Sequence, residues 1–348
     1  MEMLKAPGAE SFPQYPASWY LLCRSRDLAR GPLSKRILGR DLVAFRTAGG
    51  RLAVLDARCS HLGADLGRGR VVGESIECPF HNWRYGPDGR CVSMPCTERL
   101  PGFARQRAYP VQERHGFVFF FNGREPLFPL PFFFGFDPGS FSAGRPFRYL
   151  ADCNWYMNAA HAFDTQHFAA VHDRELLAPP EVDCPAPFAR RNRYRAKVLG
   201  RTTLDRVLQL GAGDRVEISI TTWGGTFVLV TGDFTRAQSR FIVATTPQED
   251  GTTLCEGIVF APRSRSAVGR TVLDPFSLWV RRLFTFGYLA DETRRLRGTQ
   301  YRPHSLGPAD RDMIEFFQWV VALPQDAESP LAAPGRVPES GKVVAAGR

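Results

Sequence analysis

No run of apolar residues in this sequence is long enough to span a bilayer. The most hydrophobic stretches, residues 117–121 and 126–136, fall short of the roughly 20 apolar residues a spanning helix needs, and proline breaks the second. The first eighteen residues hold Lys5 and several prolines but no apolar segment of signal-peptide length, so export by that route is not expected and a cytoplasmic location is. A G-x-G-x-x-G nucleotide loop is missing, as is any four-cysteine run of the plant-ferredoxin kind, so the chain is not expected to oxidise a nicotinamide cofactor itself. It also lacks a helix-turn-helix, an RNA-binding signature and repeated fingers, which removes nucleic acid from the expected partners. There is no internal repeat, and with 44% hydrophobic and 23% charged residues neither compositional extreme applies.

What is present is a chain of 348 residues, enough for a large core and most naturally divided into two domains. The net charge of +10 comes mainly from arginine. Codon bias in a GC-rich genome accounts for it, and so does a basic docking face for an acidic electron-transfer partner, since complementary charge speeds encounter. In a reducing compartment the eight cysteines stay free, so cysteines paired with histidines at short spacing point to metal ligation before disulfides.

Residues 1–17 are expected to be a flexible arm. From 18 to 124 short β runs (43–45, 52–55, 75–77, 116–121) alternate with Gly, Asp and Asn turns, the pattern of a small all-β domain. Residues 125–146, crowded with Pro, Phe and Gly, suit an ordered linker packed on its neighbours. An α+β domain is expected over 147–326. Its helices are placed at 153–177, 275–297 and 308–323, and its strands at 194–198, 215–222, 226–231, 240–246 and 253–260. The tail, 327–348, is rich in Ala, Gly, Pro and Ser and is expected to be disordered.

Two short segments carry the chemistry of the first domain. Cys59-Ser60-His61 is followed after sixteen residues by Cys78-Pro79-Phe80-His81, each offering one thiolate and one imidazole from a turn. A structural zinc site can have the same Cys₂His₂ composition, but its half-sites are more typically C-x₂₋₄-C than C-x-H. A [2Fe–2S] cluster in which two histidines replace two cysteines on one iron carries less negative charge. Its potential therefore lies at roughly −150 to +300 mV, against about −400 mV for all-cysteine plant-type clusters. The stretches CSHLGADLGRG and ECPFHNWRY resemble the two cluster-binding loops of Rieske domains. That resemblance implies that Cys59 and Cys78 hold the inner iron, that His61 and His81 hold the outer iron, and that Trp83 covers the cluster. Leu62 departs from the pattern, since many ring-hydroxylating members carry Arg after the first histidine.

Some two hundred residues follow this motif, more than a simple electron carrier needs. Asp164, His167 and His172 lie within nine positions. Asp164 and His167 share a helix face, whereas His172 lies about 140° from His167, so a shared metal requires the helix to break or bulge near Ala169-Ala170. Two histidines and one carboxylate leave coordination positions open for O₂, as in non-haem Fe(II) oxygenases. The chain thus resembles the terminal oxygenase subunits of Rieske non-haem iron enzymes, most closely the aminopyrrolnitrin oxygenase, ketosteroid 9α-hydroxylase and cholesterol desaturase members.

This resemblance implies an all-β Rieske domain followed by an α+β catalytic domain with an antiparallel sheet and iron-binding helices. His167 and His172 become iron ligands. Asp164 becomes the residue that bridges to the cluster of an adjacent subunit in a homotrimer. Two carboxylate groups compete for the third ligand, Asp291-Glu292 and Asp310 with Asp312. The order Asp291, Pro303, Leu306, Asp310, Trp319 follows the ketosteroid-hydroxylase pattern and favours Asp291. His161 stands where relatives often place Asn, as a proton donor, a partner of Asp164 or a core residue. Electrons are expected from NAD(P)H through a ferredoxin, a ferredoxin reductase or both, and the substrate is expected to be a hydrophobic aromatic, terpenoid or steroid-like molecule. The competing reading is a Rieske electron-transfer protein with no catalytic iron.

Overall fold

Short alternating runs and two-residue turns shape the first third of the chain. The ten strands there are β1 (Trp19–Arg24), β2 (Leu33–Ile37), β3 (Arg40–Arg46), β4 (Leu52–Asp56), β5 (Arg70–Val72), β6 (Ser75–Glu77), β7 (Arg84–Tyr85), β8 (Cys91–Ser93), β9 (Val111–Arg114) and β10 (Phe117–Phe121). They form three small antiparallel sheets, ordered β1-β10-β9, β2-β3-β4 and β5-β6-β7-β8. Two hairpins close through pairs of residues with positive φ, Leu38-Gly39 (52° and 68°) and His115-Gly116 (53° and 74°). Such turns match the right-handed twist of the flanking strands, and glycine takes the second position without strain.

The computed structural model describes residues 4–172 and 174–325, without the side chains of Phe168, Ala169, Leu204 and Asp291. The tail expected to be disordered, 327–348, lies outside the described residues.

Nine strands build the second domain: β11 (Phe141–Ala143), β12 (Phe147–Ala151), β13 (Arg174–Leu176), β14 (Glu181–Ala186), β15 (Ala189–Val198), β16 (Arg215–Trp223), β17 (Phe227–Phe234), β18 (Gln238–Pro247) and β19 (Thr253–Pro262). Their antiparallel order is β11-β19-β18-β17-β16-β15-β13, with β12 on β19 and β14 on β15. The helices are α1 (Trp155–Ala160), α2 (Thr165–His172), α3 (Thr203–Ala212), α4 (Asp274–Arg295) and α5 (Arg311–Ala322). The architecture is the expected α+β arrangement.

Because strand side chains alternate in direction, the central strands serve two cores. Ile242, Ala244, Ile258 and Phe260 face the first domain and pack with Trp19, Leu21, Phe117, Phe119 and Phe121, while Phe241, Val243 and Val259 face α4 and pack with Leu278 and Leu289. The Phe-rich linker fills the first core with Phe128, Leu130 and Phe133, and Trp19 donates its indole N–H to the Phe128 carbonyl at 2.8 Å. At about 1.5–3 kcal/mol for each large apolar side chain buried, this seam outweighs the exposed Arg36–Glu249 ion pair that also joins the domains.

Two expectations are corrected. The segment 153–177 is not one helix. After α1 and a 3₁₀ turn over His161–Phe163 the chain turns extended at Asp164 (φ −95°, ψ 102°), restarts as α2 and passes into β13. Asp164 causes the break by accepting hydrogen bonds from the N–H groups of Gln166 and His167 at 3.0 and 3.1 Å, as an N-cap does. The arm is also not free where it is described. Phe12 stacks on Tyr156 at 3.8 Å, the Trp155 indole N–H donates to Pro13 O and the Tyr301 hydroxyl to Pro7 O. Three aromatic residues of the second domain give the arm an apolar seat that its own composition does not reveal. No helix among the described residues is long and apolar enough to cross a membrane.

Candidate metal centres

The two cysteine–histidine loops have the same backbone design. The Cys59 carbonyl accepts from Gly63 N–H at 2.9 Å and the Cys78 carbonyl from Asn82 N–H at 3.1 Å, four residues on in each case. Each cysteine N–H then donates to the carbonyl five residues later, Ala64 and Trp83. Gly63 and Asn82 both take positive φ (74° and 56°), the conformation that Gly accepts freely and Asn tolerates. Two matching turns thus face one another, with both sulfurs buried and both imidazoles exposed.

The Nδ1 atoms of His61 and His81 lie 3.2 Å apart. Two nitrogens each bonded to one metal at about 2.0–2.1 Å stand at a similar separation. Burial pushes the Cys78 thiol up from its ordinary pKa, a cost that a bound cation removes by replacing the proton. The Tyr85 hydroxyl sits 3.1 Å from Cys59 Sγ and 3.0 Å from Ser60 Oγ, and Trp83 stacks on His61 with ring centroids 4.4 Å apart at 6°. The donor set and its half-buried, half-exposed placement fit a [2Fe–2S] cluster with two thiolates inside and two imidazoles outside.

In the second domain α2 supplies two imidazoles and α4 a carboxylate. His167 Nε2 and His172 Nε2 lie 3.2 Å apart, and each is 4.0 Å from an oxygen of Glu292. All three ligand atoms fall within 4.8 Å of one another. No break near Ala169-Ala170 is needed, because α2 runs intact to His172. His172 is its last residue, and helical side chains lean toward the N-terminus, so this ring reaches back to His167. Tyr288, one turn before Glu292 on α4, stacks flat on the His172 ring at 4.0 Å and 9°. Arg174, two residues beyond His172, is anchored by a buried ion pair to Asp205 at 2.9 Å.

Burial sets the electrostatics of this cluster. It lowers the pKa of His167, lowers that of His172 to about 2 with the neighbouring imidazole adding to the effect, and raises that of Glu292 to about 7. The imidazoles therefore keep their lone pairs, while burial works against the charged carboxylate. A divalent metal ion answers both demands, and two histidines with one carboxylate fit iron(II) with open positions.

Asp291 was expected as the third ligand, but its side chain lies outside the described residues, and the carboxylate that joins the histidines is the adjacent Glu292. Glu292 lies on the buried stripe of α4, between Leu289 and Leu296. A charged residue at that phase of an amphipathic helix was the available signal. Asp310 and Asp312 do not belong to the cluster. Asp310 instead accepts from Gly307 N–H at 2.9 Å and lies 3.4 Å from the Gln166 amide. Buried His161 lies with its Nδ1 3.2 Å from the Asn158 carbonyl and its ring 5.1 Å from that of His167. Burial drives its pKa to about 3, so it is neutral and Nδ1 carries the donated hydrogen. Tyr85, Tyr288 and Arg174 had no expected role.

A model of the Rieske [2Fe–2S] domain matches residues 18–104, the region that holds both loops. The chain contains a Rieske [2Fe–2S] domain. Within this Rieske-domain protein, 123 residues are 44% identical to aminopyrrolnitrin oxygenase PrnD of Pseudomonas fluorescens, covering 33% of this chain and 34% of that protein. A stretch of 170 residues is 36% identical to the oxygenase component of 3-ketosteroid-9-alpha-monooxygenase of Rhodococcus rhodochrous, covering 47% and 40%. The matches thus span about a third to two-fifths of these curated relatives. The fold as a whole is similar to Pseudomonas putida CBB5 NdmB, with a TM-score of 0.65 at 16% identity over 92% of this chain and 93% of that one.

Proposed function

We propose that the chain is the terminal oxygenase component of a multicomponent Rieske system. The reading is carried by one observation, the presence in a single chain of the Cys59/His61/Cys78/His81 loops and the buried His167/His172/Glu292 cluster. When bound, the [2Fe–2S] cluster supplies one-electron transfer and the mononuclear iron(II) supplies O₂ activation for oxidation, most simply monooxygenation, of the substrate.

The chain's own residues do the positioning. Tyr288 fixes the plane of His172, and Asp164 holds the backbone N–H of His167 and so the start of the ligand helix. Neutral His161, with Nδ1 committed to Asn158, presents an unprotonated Nε2 beside the site, which makes it a hydrogen-bond acceptor there and not a proton donor in the resting state. The exposed rings of His61 and His81, with the apolar tips Leu62, Phe80 and Phe103 around them, suit docking of this end onto another protein surface. A homotrimer in which Asp164 faces the cluster of a neighbouring subunit is the assembly we propose, with electrons from NAD(P)H delivered by a ferredoxin, a ferredoxin reductase or both.

The names of the relatives support a hydrophobic aromatic, terpenoid or steroid-like substrate. A cavity of about 540 Å³ lies along α4, lined by Tyr149, Phe286, Leu289, Ala290 and Arg294 among others, and none of the three metal-cluster residues lines it. Thiol ligands and a reducible cluster suit a reducing compartment, which supports a cytoplasmic location.

Iron and acid-labile sulfide counting tests the reading. Reconstituted protein is expected to hold three irons and two sulfides per chain, and Glu292→Ala two irons with an unchanged visible spectrum and no turnover. Two irons in the unmodified chain would make it an electron carrier. Full iron in Glu292→Ala together with loss in Asp291→Ala would return the ligand to Asp291.

A further inference from the structure

Beyond both metal centres, one helix exposes the apolar surface that helices normally bury. Val268, Val272, Leu273, Phe276, Trp279, Leu283 and Phe286 are each between 45% and 71% exposed. On α4, Phe276, Trp279, Leu283 and Phe286 fall within an arc of about 80° at 100° per residue, while Leu278, Thr285 and Leu289 on other faces are buried. The Phe276 and Trp279 rings lie side by side, 6.1 Å apart. Such a contiguous patch, rather than scattered single residues, marks a surface that meets something apolar.

The charge around it narrows what that is. Residues 263–286 contain five arginines against a single acid, Asp274, although Arg281, which donates to the Gln238 carbonyl, and Arg282, which lies over the Phe147 ring, are turned into the fold. Asp274 is buried and accepts from Ser142 and Ser264, so it does not offset the arginines at the surface. Arg263, Arg265 and Arg270 are exposed at the N-terminal end of the stripe. A second copy of this chain laid face to face about a two-fold axis would bring two such rims together and repel. An acidic redox protein has its electron acceptor at His61 and His81 in the other domain. Aromatic and aliphatic residues along one helix face, rimmed by arginine, match a bilayer interface with anionic headgroups.

We propose that the segment from Val268 to Phe286 docks the protein on an anionic membrane surface. Phe276, Trp279, Leu283 and Phe286 enter the boundary between headgroups and acyl chains, and Arg263, Arg265 and Arg270 meet the phosphates.

Flotation of the iron-loaded full chain tests this, using vesicles of equal parts phosphatidylcholine and phosphatidylglycerol beside vesicles of phosphatidylcholine alone. Binding to the mixed vesicles is expected, with a blue shift of emission, because Trp279 is the exposed tryptophan among six. In the double variant Phe276→Ser/Trp279→Ser the vesicle partition coefficient should fall by about tenfold or more. Arg265→Glu/Arg270→Glu should remove the preference for the anionic vesicles. An unchanged iron count, mononuclear iron included, and an unchanged thermal unfolding transition show that both variants are folded, which the exposure of all four positions makes the expectation. Failure of the unmodified chain to float with the mixed vesicles would overturn the proposal, as would equal binding by the Phe276/Trp279 variant. An oligomer dissolved by that same variant would assign the face to a second copy instead. The assay reads partitioning and not turnover, so it stands or falls apart from the oxygenase reading.

Discussion

Tyr85 occupies a position from which a single hydroxyl acts on the cluster, 3.1 Å from Cys59 Sγ. A hydrogen bond to a ligating sulfur stabilises the more negative, reduced state, so its removal favours oxidation. Tyr85→Phe is therefore expected to lower the reduction potential, by some tens of millivolts for a hydrogen bond with a net effect of about 1 kcal/mol. A spectroelectrochemical titration reads this directly, and an unchanged or higher potential would remove Tyr85 from any tuning role. At this scale the cluster ligands were legible because each half-site is local, a thiolate and an imidazole two or three positions apart. The choice between Asp291 and Glu292 was not. Neighbours on a helix differ by 100° in direction, and only the packing of α4 on the sheet decides which phase meets α2.

Among the elements, α2 shows how one side chain sets a helix boundary and supports a metal ligand together. Asp164→Ala is expected to cost roughly 1 kcal/mol, a fall in Tm of about 2–4 °C, along with weaker iron retention. Asp164→Asn, which keeps the cap, should hold Tm near the unmodified value. If the carboxylate also bridges subunits, electron transfer to the mononuclear site will fail in both variants. An unmoved Tm in the alanine variant would refute the capping role. The strands β15 to β19 were readable because their residues alternate between two buried faces. The short strands β11 to β14 were not, since they are brief or carry charge and proline, as Glu181, Asp183 and Pro185 do in β14. Helix α3 escaped notice although Thr202 caps it, with its hydroxyl accepting from Asp205 N–H at 3.1 Å. Its two exposed apolar residues, Val207 and Leu210, blur the amphipathic pattern.

For the molecule as a whole, the seam between the domains is apolar and the N-terminal arm extends it across the second domain. Phe12 is 9% exposed and touches Tyr156, Tyr301 and Phe317. Phe12→Ala is expected to destabilise the second domain by about 3 kcal/mol, read by denaturant unfolding, because its removal opens a cavity among rings. A change below about 0.5 kcal/mol, as at an ordinary surface position, would mean that the arm is not seated in solution. The two extremities of the described chain meet in this cluster, where the Gln318 amide donates to the Lys5 carbonyl at 2.9 Å across 313 positions. During synthesis the arm must therefore wait for α5, some three hundred positions later, before it finds its place. The first domain can fold early, but the seat of Phe12 beside α1 is complete only when α5 arrives, so the second domain closes around the arm late and over a long loop.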